Sequence, residues 1–314
     1  MDSTCRWWNE ETVAVVTGGN KGIGLEVCKQ LAERGVTVVL TARDNGRGSD
    51  ALCTLRKQDL DNVQFHPLDV TDDESIAALA SWILQQFGGF DILINNAAVN
   101  GVVVDEQYVK DRNISLADMM FKQESAEGFV IEYESAKACL DANYYGAQHV
   151  TKALIPLLRS SSQGARIINV GSDYGQLHQL ESPKLQQELA NLDNLSEAFI
   201  DKLLETYLND VKCQSLEGKG WPIKFPSYKM SKVALHAYTR VLARELEKKS
   251  PVPAINARVF VNCVHPGYVR TELTGLTGQL SSQEGATNVV KIALLPPEVS
   301  PSGQFFYEGN LASF

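Results

Sequence analysis

Val13-Ala14-Val15-Val16-Thr17-Gly18-Gly19-Asn20-Lys21-Gly22-Ile23-Gly24 is the stretch on which the fold turns. Val13–Thr17 is apolar or β-branched throughout and reads as a strand, whereas Gly22–Arg34 carries its apolar side chains at helical spacing. Between them stands a loop of the form T-G-x-x-x-G-x-G. Glycines in such a loop let the backbone turn sharply, approach a pyrophosphate closely and pack the following helix on the strand. A glycine-rich loop alone is weak evidence, and an ordinary turn reads the same way. Its weight comes from its place between the first strand and first helix of an alternating chain.

That alternation continues outward. Thr37–Ala42 reads as a second strand and Val63–Val70 as a third. Thr71-Asp72-Asp73-Glu74 has the form of a capping box for a helix running to about Phe87. Asp91–Asn95 and Arg166–Val170 read as further strands, with a long helical stretch ending near Arg159. Tyr228–Lys248 reads as a helix, Val259–Val264 as a strand, and Ser281-Ser282-Gln283-Glu284 as the cap of another helix. Gln304–Tyr307 reads as a last strand. Strands apolar almost throughout, separated by helices, imply a parallel sheet covered on both faces. The expected fold class is α/β, a Rossmann-like doubly wound parallel sheet forming one domain over 1–314. Two segments, at about 102–135 and 176–226, are too long for the short connections of such a fold. They are expected to be structured insertions, with helical pattern at Leu185–Ala190 and Ala198–Val211.

Composition limits what such a domain does. The 314 residues carry 29 Lys and Arg against 38 Asp and Glu, a net charge of −9, so no basic surplus exists to neutralise nucleic-acid phosphates. No apolar run is long enough to span a membrane, and the segment from Met1 lacks the apolar core of a signal peptide. A cytoplasmic protein is expected. Cys5, Cys28, Cys53, Cys139, Cys213 and Cys263 show no metal-ligand or redox spacing, and buried thiols are the preferred reading. The histidines form no H-x-x-x-H pair, and no metal is expected.

The loop resembles that of the short-chain dehydrogenase/reductase family, and later motifs follow in the family's order. Asp69-Val70 ends strand three and Asn95-Asn96-Ala97-Ala98 follows strand four, with Ala98 in place of the usual last glycine. Asn143, Ser172, Tyr228-x-x-x-Lys232 and Pro266-Gly267 with Thr271 complete the series, which spans residues 13 to about 309. The resemblance implies a cofactor site of Thr17, Gly18, Asn20, Lys21, Gly22, Ile23, Gly24, Arg43, Asp69, Val70, Asn96, Tyr228, Lys232, Pro266, Gly267 and Thr271. It further implies a catalytic set of Asn143, Ser172, Tyr228 and Lys232. In that set Lys232 also holds the nicotinamide ribose, Ser172 hydrogen-bonds the substrate carbonyl, and Asn143 holds a water that links Lys232 to solvent.

Cofactor type has its own physical argument. An NAD enzyme places an acid at the end of strand two to accept the ribose 2′-hydroxyl. Here Ala42 occupies that place, and Arg43 with Lys21 can pair a 2′-phosphate. Asp44 dissents, but it lies beyond the acid position. NADP(H) is the expected cofactor.

Tyr228 and Lys232 are four apart and share a helix face. A free tyrosine titrates near about 10. A neighbouring ammonium is expected to lower that value, an effect on the order of 3–4 kcal/mol. Lys229, on another side of the helix, is expected to be only solvated.

The long interval between Ser172 and Tyr228 resembles the monomeric, carbonyl-reductase-like branch of the family. There it covers the helix face through which other members dimerise, so a monomer is expected. Details such as Phe65-His66-Pro67-Leu68-Asp69-Val70-Thr71-Asp72, Ala153-Leu154-Ile155-Pro156-Leu157-Leu158 and Pro301-Ser302-Gly303 resemble plant reductases of alkaloid and terpenoid ketones. The implied substrate is a bulky, largely apolar ketone. Tyr174, Tyr268, Trp221 and Leu273 are candidate pocket residues, with ordinary packing an equal reading; Gly171 and Ala98 bear on pocket shape. Reduction of a conjugated enone is the alternative on the same scaffold, and non-catalytic NADP(H) binding is the alternative of another class. The intact Tyr228 and Lys232 favour carbonyl reduction over both.

Overall fold

The computed structural model describes residues 6–114, 127–159, 163–248 and 258–314. Cys5 and part of the 102–135 segment lie outside them. In chain order the first elements are β1 (Val13–Val16), α1 (Gly22–Ala32), β2 (Thr37–Ala42), α2 (Asn45–Arg56), β3 (Val63–Pro67), α3 (Asp73–Phe87) and β4 (Ile92–Asn95). After them come β5 (Val103–Val104), α4 (Glu106–Arg112), β6 (Phe129–Val130), α5 (Tyr133–Leu140), α6 (Gly146–Leu154) and β7 (Ala165–Val170). The remainder is α7 (Pro183–Ala190), α8 (Glu197–Lys212), α9 (Pro226–Lys248), β8 (Val259–His265), α10 (Ser282–Ala293), β9 (Gln304–Tyr307) and β10 (Asn310–Ala312).

An eight-stranded sheet runs in the order β10-β9-β8-β7-β4-β1-β2-β3. It is parallel except for β10, which pairs antiparallel with β9. From β1 the chain winds outward through β2 and β3, then returns to β4 and winds the other way. The reversal lies between β1 and β4, and ligands of such sheets bind outside the carboxyl ends of the strands at that point. Strand alternation sorts the core into two. Val13, Val15, Val39, Leu93, Ile167 and Val261 face α3, α6 and α9. Their neighbours Ala14, Val16, Val38, Leu40, Ile92, Ile94, Ile168 and Val264 face α1, α2 and α10.

The segment at 176–226 is structured as expected. Leu189, Ile200, Leu204, Tyr207 and Val211 share one core with Met230, Val233, Ala237 and Val241 of α9. Tyr207 hydrogen-bonds Ser227 at 2.8 Å, and Arg240 donates to the Leu189 carbonyl at 2.7 Å. The outer face of α9 is therefore covered by the chain itself. The earlier segment contributes the β5–β6 hairpin, with Val103 opposite Val130, and helix α4.

Several boundaries differ from expectation for local reasons. The third strand stops at Pro67 rather than Val70, because the Asp69 carboxylate accepts both the backbone N–H of Thr71 at 3.0 Å and its hydroxyl at 2.7 Å and turns the chain. With Thr71 so engaged, Asp72 caps α3 in its place, accepting from the Glu74 N–H at 3.0 Å. The Ser281 and Glu284 capping box forms as read. Helix α2 has no counterpart in the sequence reading, since Asn45-Gly46-Arg47-Gly48-Ser49-Asp50 lacks an apolar period. It forms because Asp44 caps it and Gly48 clears Phe65, whose ring would lie 2.1 Å from an added Cβ. The stretch ending near Arg159 is α5 and α6 joined by a π-helical turn at Asp141–Tyr145. Cys28, Cys139 and Cys263 are buried as expected, but Cys53 and Cys213 are exposed.

Candidate active site

The glycine loop is held at both ends of the β1–β4 pair. Thr17, buried at the end of β1, accepts from the backbone N–H groups of Asn96 and Ala97 at 2.9 and 3.0 Å. The Asn96 amide donates back to the carbonyls of Thr17 and Gly18 at 2.9 and 3.1 Å. Gly18 has a φ of +64°, open to glycine at little cost, and a Cβ on Gly24 would lie 2.3 Å from the Gly18 carbonyl oxygen. These two requirements explain the motif. Gly22, Ile23 and Gly24 of the first turn of α1 line the cleft, and no acidic side chain occupies that turn.

A cleft of about 1080 Å³ runs from this loop across the strand ends. That volume stands at the top of the ~300–1,000 Å³ range typical of small-molecule sites. Gly18, Asn20, Lys21, Gly22, Ile23, Gly24, Arg43, Asp69, Val70, Asn96, Pro266, Gly267 and Thr271 line it, as do Ala98, Ser172, Tyr228 and Lys232. Thr17 and Asn143 lie beneath its surface, 2% and 1% exposed. Thr271 reaches over the glycine loop, its methyl group 3.4 Å from the place a Gly22 Cβ would take.

Charge at the outer end is arranged differently from the sequence reading. Lys21 is ion-paired with Glu272, whose carboxyl it holds below the usual range. Asp44 caps α2 by accepting the Arg47 N–H at 2.7 Å while also lining the cleft beside Arg43. Arg47 itself lines the cleft with Arg43. It was missed because its helix was missed. Its signal is the spacing of four from Arg43 into the first turn of α2.

At the inner end, α9 presents Tyr228 and Lys232. Lys232 is 3% exposed, donates to the Val170 carbonyl at 2.9 Å and lies 5.6 Å from the Tyr228 ring centre. Burial pushes its pKa down to about 8. Ser172 lines the cleft beside Tyr228. The Ser172 hydroxyl donates to Asp173 at 3.1 Å and accepts from the Tyr174 N–H at 3.2 Å. The expected lowering of the tyrosine is not found. Burial, then the neighbouring Cys139, raises Tyr228, and the nearby Ser172 only partly opposes them. The reason is geometric, since Lys232 is drawn to the Val170 carbonyl rather than to the phenol.

Asn143 stands in the π-helical turn, a distortion that re-aims side chains. Its amide donates to the Val99 carbonyl at 2.9 Å and its oxygen accepts the Val99 N–H at 2.8 Å. It also donates to Ser231 at 3.0 Å. Asn143 thus braces the backbone after β4 through direct bonds.

Tyr174, Tyr268 and Leu273 line the cleft, but Trp221 does not. Its ring packs on Tyr207 at 5.5 Å and its N–H donates to Asp210 at 2.9 Å, inside the core of the insertion. Lys229 is not merely solvated, for its ammonium sits 5.1 Å over the Tyr174 ring. Phe225, absent from the sequence reading, lines the cleft with a φ of +54°. Its ring packs on Phe129 at 5.2 Å and Tyr174 at 6.1 Å. A bulky residue in that backbone region is an outlier held by its surroundings, and sequence carries no sign of it beyond the following Pro226. Among the described residues no group of His, Cys, Asp or Glu side chains is arranged to hold a metal, and no helix is long and apolar enough to cross a membrane.

The short chain dehydrogenase family model matches residues 12–183 and 195–281. The chain belongs to the short-chain dehydrogenase family. As a member it is an oxidoreductase. This dehydrogenase is 42% identical over 316 residues to a (+)-neomenthol dehydrogenase of Capsicum annuum, covering 96% of this chain and 97% of that one. The solved structure of salutaridine reductase from Papaver somniferum superposes with a TM-score of 0.82 at 42% identity, covering 94% of this chain and 99% of that one. Menthone neomenthol reductase from Mentha piperita gives a TM-score of 0.77 at 36% identity, covering 95% and 98%.

Proposed function

We propose that this dehydrogenase uses NADPH to reduce the carbonyl of a bulky, largely apolar ketone of alkaloid or terpenoid type, with Tyr228 as proton donor. The observation that carries the reading is convergence. Ser172, Tyr228 and Lys232 meet at one end of a single cleft whose other end holds the glycine loop, Arg43 and Arg47. Relatives at 36–42% identity include a (+)-neomenthol dehydrogenase, salutaridine reductase and menthone neomenthol reductase.

The cradle fits the cofactor. Gly18 and Gly24 clear the backbone for a pyrophosphate at the start of α1, and Arg43 and Arg47 supply guanidinium forks for a 2′-phosphate. Bound there, the nicotinamide supplies the hydride. The chain's own groups manage the oxygen. Tyr228, raised by its burial, stays protonated through neutral pH, the state a donor needs. Its proton passes to the substrate oxygen as negative charge builds, while the Ser172 hydroxyl donates to the same atom. Lys232, charged below about pH 8, adds a positive field beside the phenol. Phe225, Leu273, Leu276 and Val102 give the substrate an apolar wall.

One eight-stranded sheet that includes both β1 and β10 supports a single domain, and the covered α9 supports a monomer. A place in plant specialised metabolism accords with the names and plant sources of these relatives, and a cytoplasmic location is part of the same proposal. The deciding experiment is incubation with NADPH and a panel of ketones and cyclic enones, with products identified by mass. Alcohol products are expected, and saturated ketones alone from the enones would overturn the reading.

A further inference from the structure

Resting on the proposed role of Ser172, a third residue of the catalytic helix claims a function. Tyr228, Lys232 and His236 fall at successive four-residue steps on α9 and share one face. His236 is 1% exposed and lies directly beneath the turn that carries Ser172.

The backbone bonds of that turn can be followed one by one. Gly171 makes the last ladder bond of β7, its N–H donating to the Val264 carbonyl at 2.9 Å. The next donor, the Ser172 N–H, has left the sheet, and it donates to His236 Nε2 at 3.3 Å. The Ser172 carbonyl accepts from the Gly175 N–H at 2.9 Å, closing the turn. With the backbone held at both ends, the Ser172 side chain is kept on the cleft wall that it shares with Tyr228. The chain makes room for the imidazole on two sides, since a Cβ on Gly171 or Gly175 would stand 2.4 or 2.5 Å from Nε2. Phe305 packs on the ring with centroids 4.6 Å apart.

Accepting at Nε2 places the ring proton on Nδ1, which is buried and has no hydrogen-bond partner among the described residues. Leaving a buried donor unmet opposes folding. A merely space-filling side chain at this place would avoid that loss, so the nitrogen facing Ser172 is what the ring contributes. Burial, with Lys232 and His265 nearby, holds the imidazole down to about 3, so its lone pair is available throughout the neutral range.

We propose that His236 is a positioning residue, accepting the Ser172 backbone N–H and thereby fixing the direction in which the Ser172 hydroxyl meets the substrate oxygen. It touches neither substrate nor cofactor. Its effect is transmitted through Ser172 alone.

The test is a double-mutant cycle on the intact chain, read in ketone reduction with NADPH. H236L, which has no acceptor, is expected to lower kcat about 10- to 100-fold, the scale set by misplacing a reacting group by an ångström or less. Its KM and its NADPH affinity stay within about twofold, because only transition-state aim is lost. H236Q offers an amide oxygen in the same direction and recovers most of kcat. S172A combined with H236L is expected to be no slower than S172A alone, since a residue acting through Ser172 has nothing left to act on. A general structural lesion would instead multiply the two losses, and that outcome overturns the proposal. So does an H236L kcat within about twofold of the parent. If S172A itself keeps the parent's rate, the proposed role of Ser172 falls and this inference with it. If S172A collapses and H236L does not, the inference alone falls. Should H236L fail to fold, G175A, which crowds the imidazole from its other side, replaces it in the same cycle with the same criteria.

Discussion

A tyrosine that must lose a proton to a nascent alkoxide is best kept protonated beforehand, and the site does this by burial rather than by charge. Y228F is expected to lower ketone reduction by about 10²- to 10⁴-fold, the usual worth of a positioned general acid, with NADPH binding retained. Fluorescence titration of the cofactor beside steady-state rates checks both halves. Lys232 titrates within reach of ordinary assays because burial disfavours its charged form, bringing it down to about 8. Below that pH it is an ammonium that stabilises developing negative charge; above it the charge is lost. Reduction should therefore fall as pH rises through about 8, and a kcat flat to pH 10 would contradict the assignment. At the outer end of the cleft, R43A and R47A are expected to weaken NADPH by about 1.5–3 kcal/mol each, the worth of a charge-assisted hydrogen bond. NADH, lacking the 2′-phosphate, should be little affected, and calorimetry with both cofactors makes the comparison. Arg43 was legible as a residue beside a missing acid. Arg47 was not, because reading it required helix α2, which is set by the Asp44 cap and the fit of Gly48 against Phe65.

At the level of elements, helix α9 carries an acid-sensitive group. His236 is held to about 3 in the folded chain, whereas an unfolded histidine titrates near about 6.5. Between those values the unfolded chain binds the additional proton, so stability rises with pH through the window and is lost as pH falls from about 6.5 toward 3. The expected contribution is at most about 1.4 kcal/mol for each pH step in that window. Urea unfolding at pH 7, 6, 5 and 4 should show a smaller acid loss in H236Q than in the parent; equal slopes would assign the loss to other groups. The segment over α9 makes a separate prediction. Leu204 is fully buried between α8 and α9, so L204A should cost about 2–5 kcal/mol of unfolding free energy. Both helices of this segment were legible from their apolar spacing. That Trp221 serves their core and not the cleft was not, because a tryptophan suits either place until Tyr207 and Asp210 come to meet it.

For the molecule as a whole, the cover over α9 bears on assembly. A face already packed by Leu189, Ile200, Leu204 and Tyr207 offers no apolar surface to a second copy, and sedimentation velocity is expected to show a monomer; a stable dimer at low concentration would refute this. Sequence by itself determined the doubly wound sheet, because strands buried on both faces must be apolar throughout and their crossover helices must be amphipathic. It also determined which side chains reach the cleft from the glycine loop and from the Tyr228 and Lys232 turn, since these depend on spacing within one element. Relations between elements arise only when the chain folds. The pairing of Lys21 with Glu272, the turn of Lys232 toward Val170, the left-handed Phe225 and the seat of Ser172 on His236 join residues far apart in the chain. No local period encodes them. Desolvation, which sets the direction of both the Tyr228 and Lys232 shifts, exists only once the sheet, helices and insertion have closed around them.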